Sequence, residues 1–447
     1  MRMFSKKTVK DVDVRGKVVL VRTDYNVPIK YDENGHAKIL NDFRVRSSLP
    51  TLKYLLDAGA RKIIIISHLG RPESVDSLAD LNELEKLANG ARKYSLRPVF
   101  NHLIKLLCED SDQDLEDFKM SFPMNFHSAP IFSSTRYSVP MAEANDNYKI
   151  EMLENLRFSK DEKRDSIELA ESLAQVTGAD LFVQDGFGVV HRAHTSTDAI
   201  TEVLPSVAGL LLEKEVSTIS RAFDAPRRPF VAVMGGAKVG DKLPLIEKFI
   251  ERADKILIAG AMANTILASR GFDMGRSRVE PGQEEIISDI YQLARQKVGE
   301  NVDDFIVLPE DVAVAKEFLP NSSRFETSVD SIGKYELALD IGQKTVHKFE
   351  AELNNAETIV WNGTVGYAEF DNFANGSTMT AKKIAERTAD GALSVVGGGD
   401  TSAFVLNWSM NSPEPNDFSL ISTGGGAALE LMSGAILPGV ETLENKL

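Results

Sequence analysis

The segment PFVAVMGGAKVGDK, residues 229–242, joins an apolar strand directly to a glycine turn and then to two lysines four residues apart. Phe230 to Met234 have the pattern of a buried strand that ends at a turn. The glycines that follow let the backbone approach a ligand that side chains would otherwise exclude. If a helix starts here, Lys238 and Lys242 share one face, and their ammonium groups converge with free N–H groups on one anion. The segment therefore predicts a phosphate-binding turn.

The same residues have a second interpretation, in which the glycine turn is followed by two solvated lysines and binds nothing. Lysines are mostly exposed in folded proteins, whatever their role. By itself the segment supports both interpretations equally, and the rest of the chain has to decide between them.

The length and composition indicate a globular protein of two domains. The chain has 447 residues, more than the ~250–300 at which a single core usually divides. Hydrophobic residues make up 43% and charged residues 26%, which argues against disorder and fibrous structure. The net charge of −15 disfavours extended nucleic-acid binding. An anionic ligand would therefore need a local cluster of basic groups.

The chain contains a single cysteine, Cys108, which excludes an intramolecular disulfide and offers no metal-binding cluster. This composition is typical of a reducing compartment. The first 17 residues carry charges throughout, without the apolar segment of a signal peptide, and no apolar run reaches the length of a membrane span. We therefore expect a cytoplasmic protein.

One unit recurs along the chain: a short β-branched run, a turn rich in Gly, Asp or His, and a helical stretch. The predicted strands besides the one at 230–234 are 18–21, 63–66, 181–183, 256–258, 305–308, 359–361 and 393–396. Strands that alternate with helices indicate an α/β protein with parallel sheets covered on both faces. The polar turns follow the carboxyl ends of the strands, where open α/β sheets bind their ligands.

The turns of the two halves carry different chemistry. Those of the first half carry Arg22, Asp24, Asn26, Arg44, His68, Arg71, Arg157, His191, Arg192 and His194. This set suits a small polyanion, because guanidinium forks hold carboxylates and phosphates in a fixed orientation. Those of the second half carry glycines, Lys238, Lys242, Asp400 and Thr401, which suit a nucleotide and its metal. A lone surface arginine is more often an ion-pair partner, but so many such residues at strand ends favour a site.

A domain boundary is expected near Leu204-Pro205. We interpret residues 206–223 as a helix that joins the domains, before a proline-rich stretch. The segment 108–148 has the least regular pattern, and loops or an insertion are expected there.

Familiar nucleotide and hydrolase motifs are absent from the sequence. It has no G-x-x-x-x-G-K-[ST] and no G-x-G-x-x-G, which excludes a P-loop and the dinucleotide fingerprint. It also has no H-E-x-x-H, G-x-S-x-G or paired C-x-x-C. Structural zinc and nucleophilic hydrolysis therefore have no support.

Nine segments spread over nearly the whole chain resemble, in order, the signature segments of the phosphoglycerate kinase family. They are VRTDYNVP (21–28), NDFRVRSSLP (41–50), SHLGRP (67–72), LENLRF (153–158), DGFGVVHRAHTS (185–196), GGAKVGDK (235–242), WNGTVG (361–366), GGGD (397–400) and STGGGAALE (422–430). The motifs are individually uncommon, so chance does not explain their shared order.

The resemblance implies an α/β fold with two Rossmann-like, doubly wound parallel-sheet domains that face each other across a cleft. The expected parts are a domain at 1–204 that binds 3-phosphoglycerate or 1,3-bisphosphoglycerate, a joining helix at 205–223, and a domain at 224–430 that binds MgADP or MgATP. The tail, 431–447, is expected to return to the first domain. Closure about a hinge would bring the substrates together.

The resemblance also assigns residues to the triose substrate. The positions that match the family's are Asp24, Asn26, Arg44, His68, Arg71, Arg157, Arg192 and His194. Arg44 matches the arginine beside the transferring phosphoryl group. Asp24 and Asn26 suit the hydroxyl between the two anionic ends, because a carboxylate accepts its hydrogen bond and repels a misplaced phosphate.

For the nucleotide, the resemblance implies Gly236, Ala237, Lys238, Lys242, Gly260, Leu308, Asn362, Glu369, Gly398, Gly399, Asp400 and Thr401. Asp400 matches the carboxylate that reaches Mg²⁺, and Glu369 the group at the ribose hydroxyls. Arg44, Lys238, Lys242, Gly424 and Gly425 are the expected catalytic groups. Apolar residues such as Leu308 are more often plain core. Phosphoryl transfer needs in-line placement and cations around the moving group, with no protein nucleophile.

Several positions depart from the family pattern. Gln343 and Thr364 stand where prolines are usual, and the other departures are Ala259, Ala368 and Ala428. We expect the first two to loosen turns near the nucleotide and to affect its affinity. None of the departures removes a charged catalytic position.

Two functions remain open at this point. The first is an active, monomeric phosphoglycerate kinase of glycolysis and gluconeogenesis, which transfers a phosphoryl group reversibly between 1,3-bisphosphoglycerate and MgADP. The second is a relic of that fold that binds without turnover. Retention of Arg44, Lys238, Lys242 and Asp400 together favours the enzyme.

Overall fold

The computed structural model describes residues 4–72, 92–109, 131–133, 136–138, 150–412 and 417–446. Most of the irregular segment 108–148 lies outside these residues. The chain divides into two units, each with its own sheet. The N-terminal unit comprises Met3–Val216 and Ile436–Leu447, and the C-terminal unit is essentially Ser217–Ala435.

The strands of the N-terminal unit are β1 (Val18–Arg22), β2 (Ile29–Tyr31), β3 (Ala37–Ile39), β4 (Lys62–Ile66), β5 (Ile131–Ser133), β6 (Arg136–Ser138), β7 (Ile150–Met152), β8 (Leu181–Gln184) and β9 (Ser206–Ala208). Those of the C-terminal unit are β10 (Phe230–Met234), β11 (Lys255–Ile258), β12 (Ile306–Val307), β13 (Asp311–Ala315), β14 (Phe325–Ser328), β15 (Leu337–Ile341), β16 (Thr358–Asn362), β17 (Leu393–Gly397) and β18 (Leu420–Ile421). The strands predicted from β-branched runs are confirmed, except that Phe305 ends a short helix instead of starting β12.

The α-helices of the described chain are α1 (Phe43–Asp57), α2 (Arg97–Glu109), α3 (Ile167–Thr177), α4 (Ile200–Val203), α5 (Leu210–Asp224), α6 (Leu243–Arg252), α7 (Gly260–Ser269), α8 (Glu284–Val298), α9 (Val302–Phe305), α10 (Gln343–Leu353), α11 (Asn375–Ala389), α12 (Gly399–Asn411), α13 (Gly425–Met432) and α14 (Pro438–Glu441). Among the described residues, no helix is both long and apolar enough to cross a membrane.

Each unit is built on a parallel sheet whose strand order reverses beside its first strand. The order is β7-β4-β1-β8-β9 in the N-terminal unit and β12-β11-β10-β16-β17-β18 in the C-terminal unit, with parallel pairing throughout. The second order is that of a dinucleotide-binding fold. The strand order reverses between β1 and β8 in the N-terminal sheet and between β10 and β16 in the C-terminal sheet. Ligands bind at such switch points, outside the carboxyl ends of the strands. The predicted α/β class with two doubly wound sheets is confirmed.

Both faces of the N-terminal sheet are covered, which explains the continuous apolar runs. Val19 and Val21 of β1 pack in one cluster with α1 and α2. Val18 and Leu20 pack in a second cluster with α3. Successive residues of a strand point to opposite faces, so a strand buried on both sides must be apolar at every position.

The predicted helix at 206–223 begins later than its sequence pattern suggests. Ser206 to Ala208 form β9 and pair in parallel with β8. Helix α5 starts only at Leu210, where the carboxylate of Asp185 accepts the N–H of Leu211 at 3.0 Å. Tertiary pairing at the sheet edge therefore overrides the local helical pattern.

The last residues of the chain pack on the N-terminal unit. The N–H of Lys7 donates to the carbonyl of Glu444 at 2.7 Å, and the N–H of Gly439 donates to that of Val190 at 2.9 Å. Leu443 is buried. The segment Ile436–Leu447 is thus part of the N-terminal unit, although it follows the C-terminal unit in sequence.

Candidate functional site

The switch point of the N-terminal sheet opens into a cavity of about 250 Å³. Its lining combines residues from the turns after β1, β4, β7 and β8 and from α1: Asp24, Asn26, Arg44, His68, Gly70, Arg71, Arg157, Gly188, Val189, His191 and Arg192. Of the predicted triose-binding residues, the structure brings seven into this lining. His194 does not line the cavity, and its neighbour His191 does.

Arg44 is held at the edge of this cavity by the turn that follows β1. Its guanidinium donates to the carbonyl of Asn26 at 2.8 Å and pairs with the carboxylate of Asp24 at 3.2 Å. The backbone N–H of Asn26 also donates to Asp24. The buried Asp24 therefore fixes both Arg44 and the backbone of the turn at Asn26.

Gly70 links two further polar groups of the cavity. Its N–H donates to the side-chain oxygen of Asn26 at 2.8 Å, and its carbonyl accepts from Arg157 at 2.7 Å. Its φ of +60° is in the left-handed region, and a Cβ there would meet the ring of Tyr94. A glycine is thus required at the point where these two turns approach each other.

A buried ionic network supports the cavity from beneath. Arg22 is 1% exposed, donates to the hydroxyl of Ser196 at 2.7 Å and lies 3.9 Å from the carboxylate of Glu162. Ser196 in turn donates to Glu162 at 2.6 Å. Loss of one partner would leave a buried charge uncompensated, at a cost of roughly 3–5 kcal/mol, so each member of the network stabilises the others. Sequence reasoning missed Glu162 and Ser196, because neither carries a strand-end pattern of its own.

His68 of this cavity and the nearby His194 are kept neutral by burial and by the surrounding arginines. Burial and the charge of Arg22 hold the pKa of His68 well below its ordinary value. The same causes lower the pKa of His194 to about 4. Burial, together with Arg22, also lowers the pKa of Arg157 to about 10, and that side chain remains charged at neutral pH. The positive potential thus comes from guanidinium groups.

The switch point of the C-terminal sheet brings two glycine turns into backbone contact. The N–H of Gly235 donates to the carbonyl of Asn362 at 3.1 Å, and the N–H of Gly236 donates to that of Thr364 at 3.2 Å. A Cβ on Gly235 would collide with the carbonyl of Thr364. The turn after β10 therefore requires glycine at position 235.

The two lysines of this turn do not share a helix face, in contrast to the prediction. Helix α6 starts at Leu243, with Pro244 in its first turn, so both lysines precede it. Lys242 turns inward and donates to the carbonyls of Gly235 and Asn362 at 2.8 and 3.1 Å. Lys238 is 54% exposed, with Asp241 at 3.4 Å. The lysines thus differ in environment, one being fixed and the other solvated.

Burial lowers the pKa of Lys242 to about 8, although the nearby carboxylate of Asp400 raises it. A fraction of this ammonium is therefore neutral near physiological pH. An anion bound beside it would favour the charged form.

A cavity of about 470 Å³ lies beside these turns. The predicted nucleotide-binding residues that line it are Gly236, Ala237, Gly260, Glu369 and Asp400. Lys238, Lys242, Leu308, Asn362, Gly398, Gly399 and Thr401 are not in its lining. Leu308 is buried core, and its neighbour Pro309 reaches the cavity instead.

Asn362 and Thr401 lie behind the turns. The hydroxyl of Thr401 accepts the N–H of Gly363 at 2.7 Å. The side-chain nitrogen of Asn362 is buried without a hydrogen-bond partner in the described structure. A Cβ on Gly425, at the start of α13, would lie 3.1 Å from the amide nitrogen of Gly399. The GGGD turn and the later glycine run, which includes Gly424 as N-cap, thus meet.

The departures Gln343 and Thr364 are both tied into this unit. The N–H of Gln343 donates to Glu326 at 3.0 Å, a hydrogen bond that proline could not make. The carbonyl of Thr364 accepts from Gly236, as described above, and a proline at this position would keep that acceptor. The effect of both departures on nucleotide affinity stays a prediction.

Sequence reasoning also missed residues of the antiparallel sheet and of loops that line the C-terminal cavity. These are mainly Arg276, Arg278, Phe318, Asp340 and Tyr367. Asp340 is buried, which raises its pKa to about 7, and accepts the N–H of Gly376 at 2.9 Å. Within the described residues, no group of three acidic, histidine or cysteine side chains could hold a metal by itself.

The comparisons with known proteins agree with this geometry. A family model described as phosphoglycerate kinase matches residues 9–435. The phosphoglycerate kinase of Chloroflexus aggregans is 38% identical, over 99% of this chain and 100% of its own. A chloroplastic phosphoglycerate kinase of Volvox carteri is 39% identical, over 99% of this chain and 87% of its own. The structure of phosphoglycerate kinase from Coxiella burnetii matches with a TM-score of 0.75 and 31% identity, and that from Pyrococcus horikoshii with 0.70 and 29%, each over 98% of both chains.

Proposed function

The chain belongs to the phosphoglycerate kinase family, and from its phosphoglycerate kinase activity we propose which groups bind each substrate. The activity transfers a phosphoryl group to or from the carboxyl group of 3-phosphoglycerate, with ATP and ADP as the nucleotide pair, and is a step of glycolysis. The alternative of a relic without turnover is not supported, since the family's charged catalytic positions are all retained.

The N-terminal cavity is the proposed site of 3-phosphoglycerate and 1,3-bisphosphoglycerate. The observation that carries this proposal is the convergence of Arg44, Arg71, Arg157 and Arg192 on one small cavity. Each triose substrate has an anion at both ends, and several guanidinium forks can hold both ends at once. Asp24 and Asn26 are the groups suited to the hydroxyl between them.

The C-terminal cavity is the proposed site of ADP and ATP. The phosphates would lie against the glycine turn at Gly236 and the start of α7 at Gly260, because free amides and helix N-termini favour anions. Lys242 would bind the nucleotide's phosphates, with Thr401 and Asn362 behind it. Glu369, which lines the same cavity, would accept the ribose hydroxyls.

Mg²⁺ is the proposed cofactor, bound to the nucleotide. Asp400 fits it, because its exposed carboxylate lines the cavity and lies close enough to Lys242 to raise that residue's pKa. Mg²⁺ is commonly held by one or two carboxylates, water and phosphate oxygens. When bound, it would neutralise charge on the phosphates.

The protein's contribution to the transfer is placement and charge. Arg44 and Lys238 would bind the moving phosphoryl group, and the amides of Gly424 and Gly425 would donate to its oxygens. No side chain acts as a nucleophile. Direct transfer requires the two bound substrates to meet, so we expect the units to close during turnover and to exclude water.

A coupled assay with purified protein, MgATP and 3-phosphoglycerate tests the activity itself. Lys238→Ala then tests the proposed role of that lysine. If its ammonium acts on the moving phosphoryl group alone, turnover should fall at least ~100-fold with small changes in Michaelis constants. Arg252→Ala is the control, because that half-exposed side chain at the end of α6 pairs with Glu251 at 3.0 Å. A change in Michaelis constants alone would mean that Lys238 only binds substrate.

The cytoplasm and a monomeric state remain our proposals for this chain. The compartment is inferred from its single cysteine and its charged N-terminal segment. The oligomeric state can be measured by light scattering coupled to size-exclusion chromatography. A stable dimer at micromolar concentration would contradict the monomer.

A further inference from the structure

One carboxylate holds the backbone of the turn that carries Lys238. Oε2 of Glu280 accepts the N–H of Val239, the residue after Lys238, at 2.6 Å. Within the described chain this is the only hydrogen bond of the Glu280 side chain, and no basic group lies within ion-pair distance of it. A carboxylate that accepts a backbone N–H forms a short and strong hydrogen bond. The polar contact of Glu280 is thus made with the lysine turn alone.

Glu280 is itself fixed to helix α7. Its N–H donates to the hydroxyl of the buried Thr265 at 3.0 Å. That hydroxyl donates in turn to the carbonyl of Ala261 at 2.9 Å, in the first turn of the helix. Gly260 and Ala261 line the C-terminal cavity. The position of Glu280 is therefore set by the helix whose start faces the proposed phosphate site.

The loop that begins at Glu280 also packs against the next residue of the turn. A Cβ on Gly240 would lie 3.3 Å from Oε1 of Gln283, which is tighter than an ordinary contact. Val239, between Lys238 and Gly240, is fully buried. The loop at 280–283 therefore covers the backbone of the turn at two consecutive residues.

The position of Lys238 depends on this backbone, because its side chain is not anchored in the interior. It is 54% exposed and pairs only with the exposed Asp241, at 3.4 Å. Lys242, in contrast, is anchored by its own hydrogen bonds to two carbonyls. On one side of Lys238 the turn is fixed by the hydrogen bond from Gly236 to Thr364, and on the other by Glu280. Loss of the second contact would release the backbone that carries the lysine.

We propose that Glu280 is a positioning residue for phosphoryl transfer: its hydrogen bond to the N–H of Val239 places Lys238 where the ammonium reaches the moving phosphoryl group. Glu280 does not belong to the lining of the C-terminal cavity, so it acts through the lysine and not on the nucleotide. A misplacement of about 1 Å in a reacting assembly can cost ~100-fold in rate. This inference rests on the role proposed above for Lys238.

The test measures kcat and Michaelis constants with MgATP and 3-phosphoglycerate in three variants of Glu280. Glu280→Ala should lower kcat at least about tenfold and change both Michaelis constants less than about threefold. Glu280→Gln keeps an acceptor oxygen at the same reach, so its kcat should stay within about threefold of the wild type. Glu280→Asp keeps the charge but is one methylene shorter, and should resemble the alanine variant. Glu284→Ala, an exposed carboxylate in the first turn of α8, is the control.

A double-mutant cycle separates this inference from the role of Lys238 itself. If Glu280 acts through the lysine, Glu280→Ala should change kcat less than about threefold when Lys238 is already alanine. An undiminished loss in that background, or an active aspartate variant beside an inactive glutamine variant, would overturn the inference and leave the role of Lys238 intact. A normal kcat in Lys238→Ala would overturn that role, and the inference with it. Thermal melts check that every variant is folded at the assay temperature.

Discussion

Lys242 provides the sharpest test of how the C-terminal site is built. In Lys242→Met a side chain of similar length loses its charge, while the apolar stem keeps its packing. The wild-type ammonium donates to the carbonyls of Gly235 and Asn362. After the substitution the carbonyl of Asn362 still accepts a hydrogen bond from the N–H of Gly235, whereas the carbonyl of Gly235 loses the hydrogen bond from Lys242.

Two opposing terms determine the effect on stability. The fall of the pKa of Lys242 from 10.5 to about 8 corresponds to about 3 kcal/mol against the charged form in the folded state. Its two hydrogen bonds contribute about 1.5–3 kcal/mol each in the opposite direction. We therefore expect Lys242→Met to change the free energy of unfolding at pH 7 by less than about 3 kcal/mol.

The effect on nucleotide binding should be larger than the effect on stability. A bound phosphate that loses a charge-assisted hydrogen bond loses about 1.5–3 kcal/mol, which is roughly a 10- to 150-fold higher Kd for MgADP. In the wild type, affinity should also fall as pH rises above about 8, since the free enzyme then loses the proton that the phosphate requires. In Lys242→Met this pH dependence should be absent.

The sign of the stability change with pH follows from the same shift. Because the folded pKa is below the unfolded value, the unfolded chain binds more protons between about pH 8 and 10.5. The free energy of unfolding should therefore rise through this window in the wild type relative to Lys242→Met.

Isothermal titration with MgADP from pH 7 to 9.5, with denaturant unfolding at each pH, measures both effects. Lys248→Met, on the following helix, is the matched control, because that lysine pairs with Glu251 at the surface. The reasoning would be refuted by a wild-type Kd that follows pH no more steeply than that of Lys242→Met. A loss of stability well above 3 kcal/mol would also refute it, by showing that the lysine is mainly structural.

Three further predictions concern other positions. Arg71→Ala should weaken 3-phosphoglycerate binding at least about tenfold and leave MgADP binding unchanged in parallel titrations, because Arg71 lines the N-terminal cavity; equal losses would contradict the assignment. In Asp340→Asn, melting temperatures should depend less on pH than in the wild type. In the wild type, burial raises the carboxyl pKa from 3.8 to about 7, so the folded chain keeps a proton that the unfolded chain loses, and stability falls between about pH 4 and 7; identical melting profiles of the two proteins across this window would disprove this. Gly425→Ala should lower kcat about tenfold with little change in melting temperature, since its Cβ would press on the amide of Gly399 at 3.1 Å; a destabilised variant with normal kcat would count against the role of that turn.

The sequence alone predicted the two sheets and the strand ends that carry the chemistry. Buried strands such as β1 and β10 are apolar at every position because both faces are covered, so they can be recognised locally. The glycine turn after Met234 and the basic turns after β1 and β4 follow directly from such runs. The apolar run of a buried strand and the residue types of a turn lie close together along the chain, so both can be recognised in the sequence.

The tertiary structure decided which turns meet and how each charge behaves there. Strand order places Gly235 against Thr364, and chain folding places Arg22 on Ser196 and Glu162. Lys238 and Lys242 look equivalent in sequence, but Lys238 is exposed, whereas burial lowers the pKa of Lys242 to about 8. Desolvation and hydrogen bonding depend on atoms that are distant along the chain, so the sequence predicted a phosphate-binding turn while the fold determined the environment of each lysine in it.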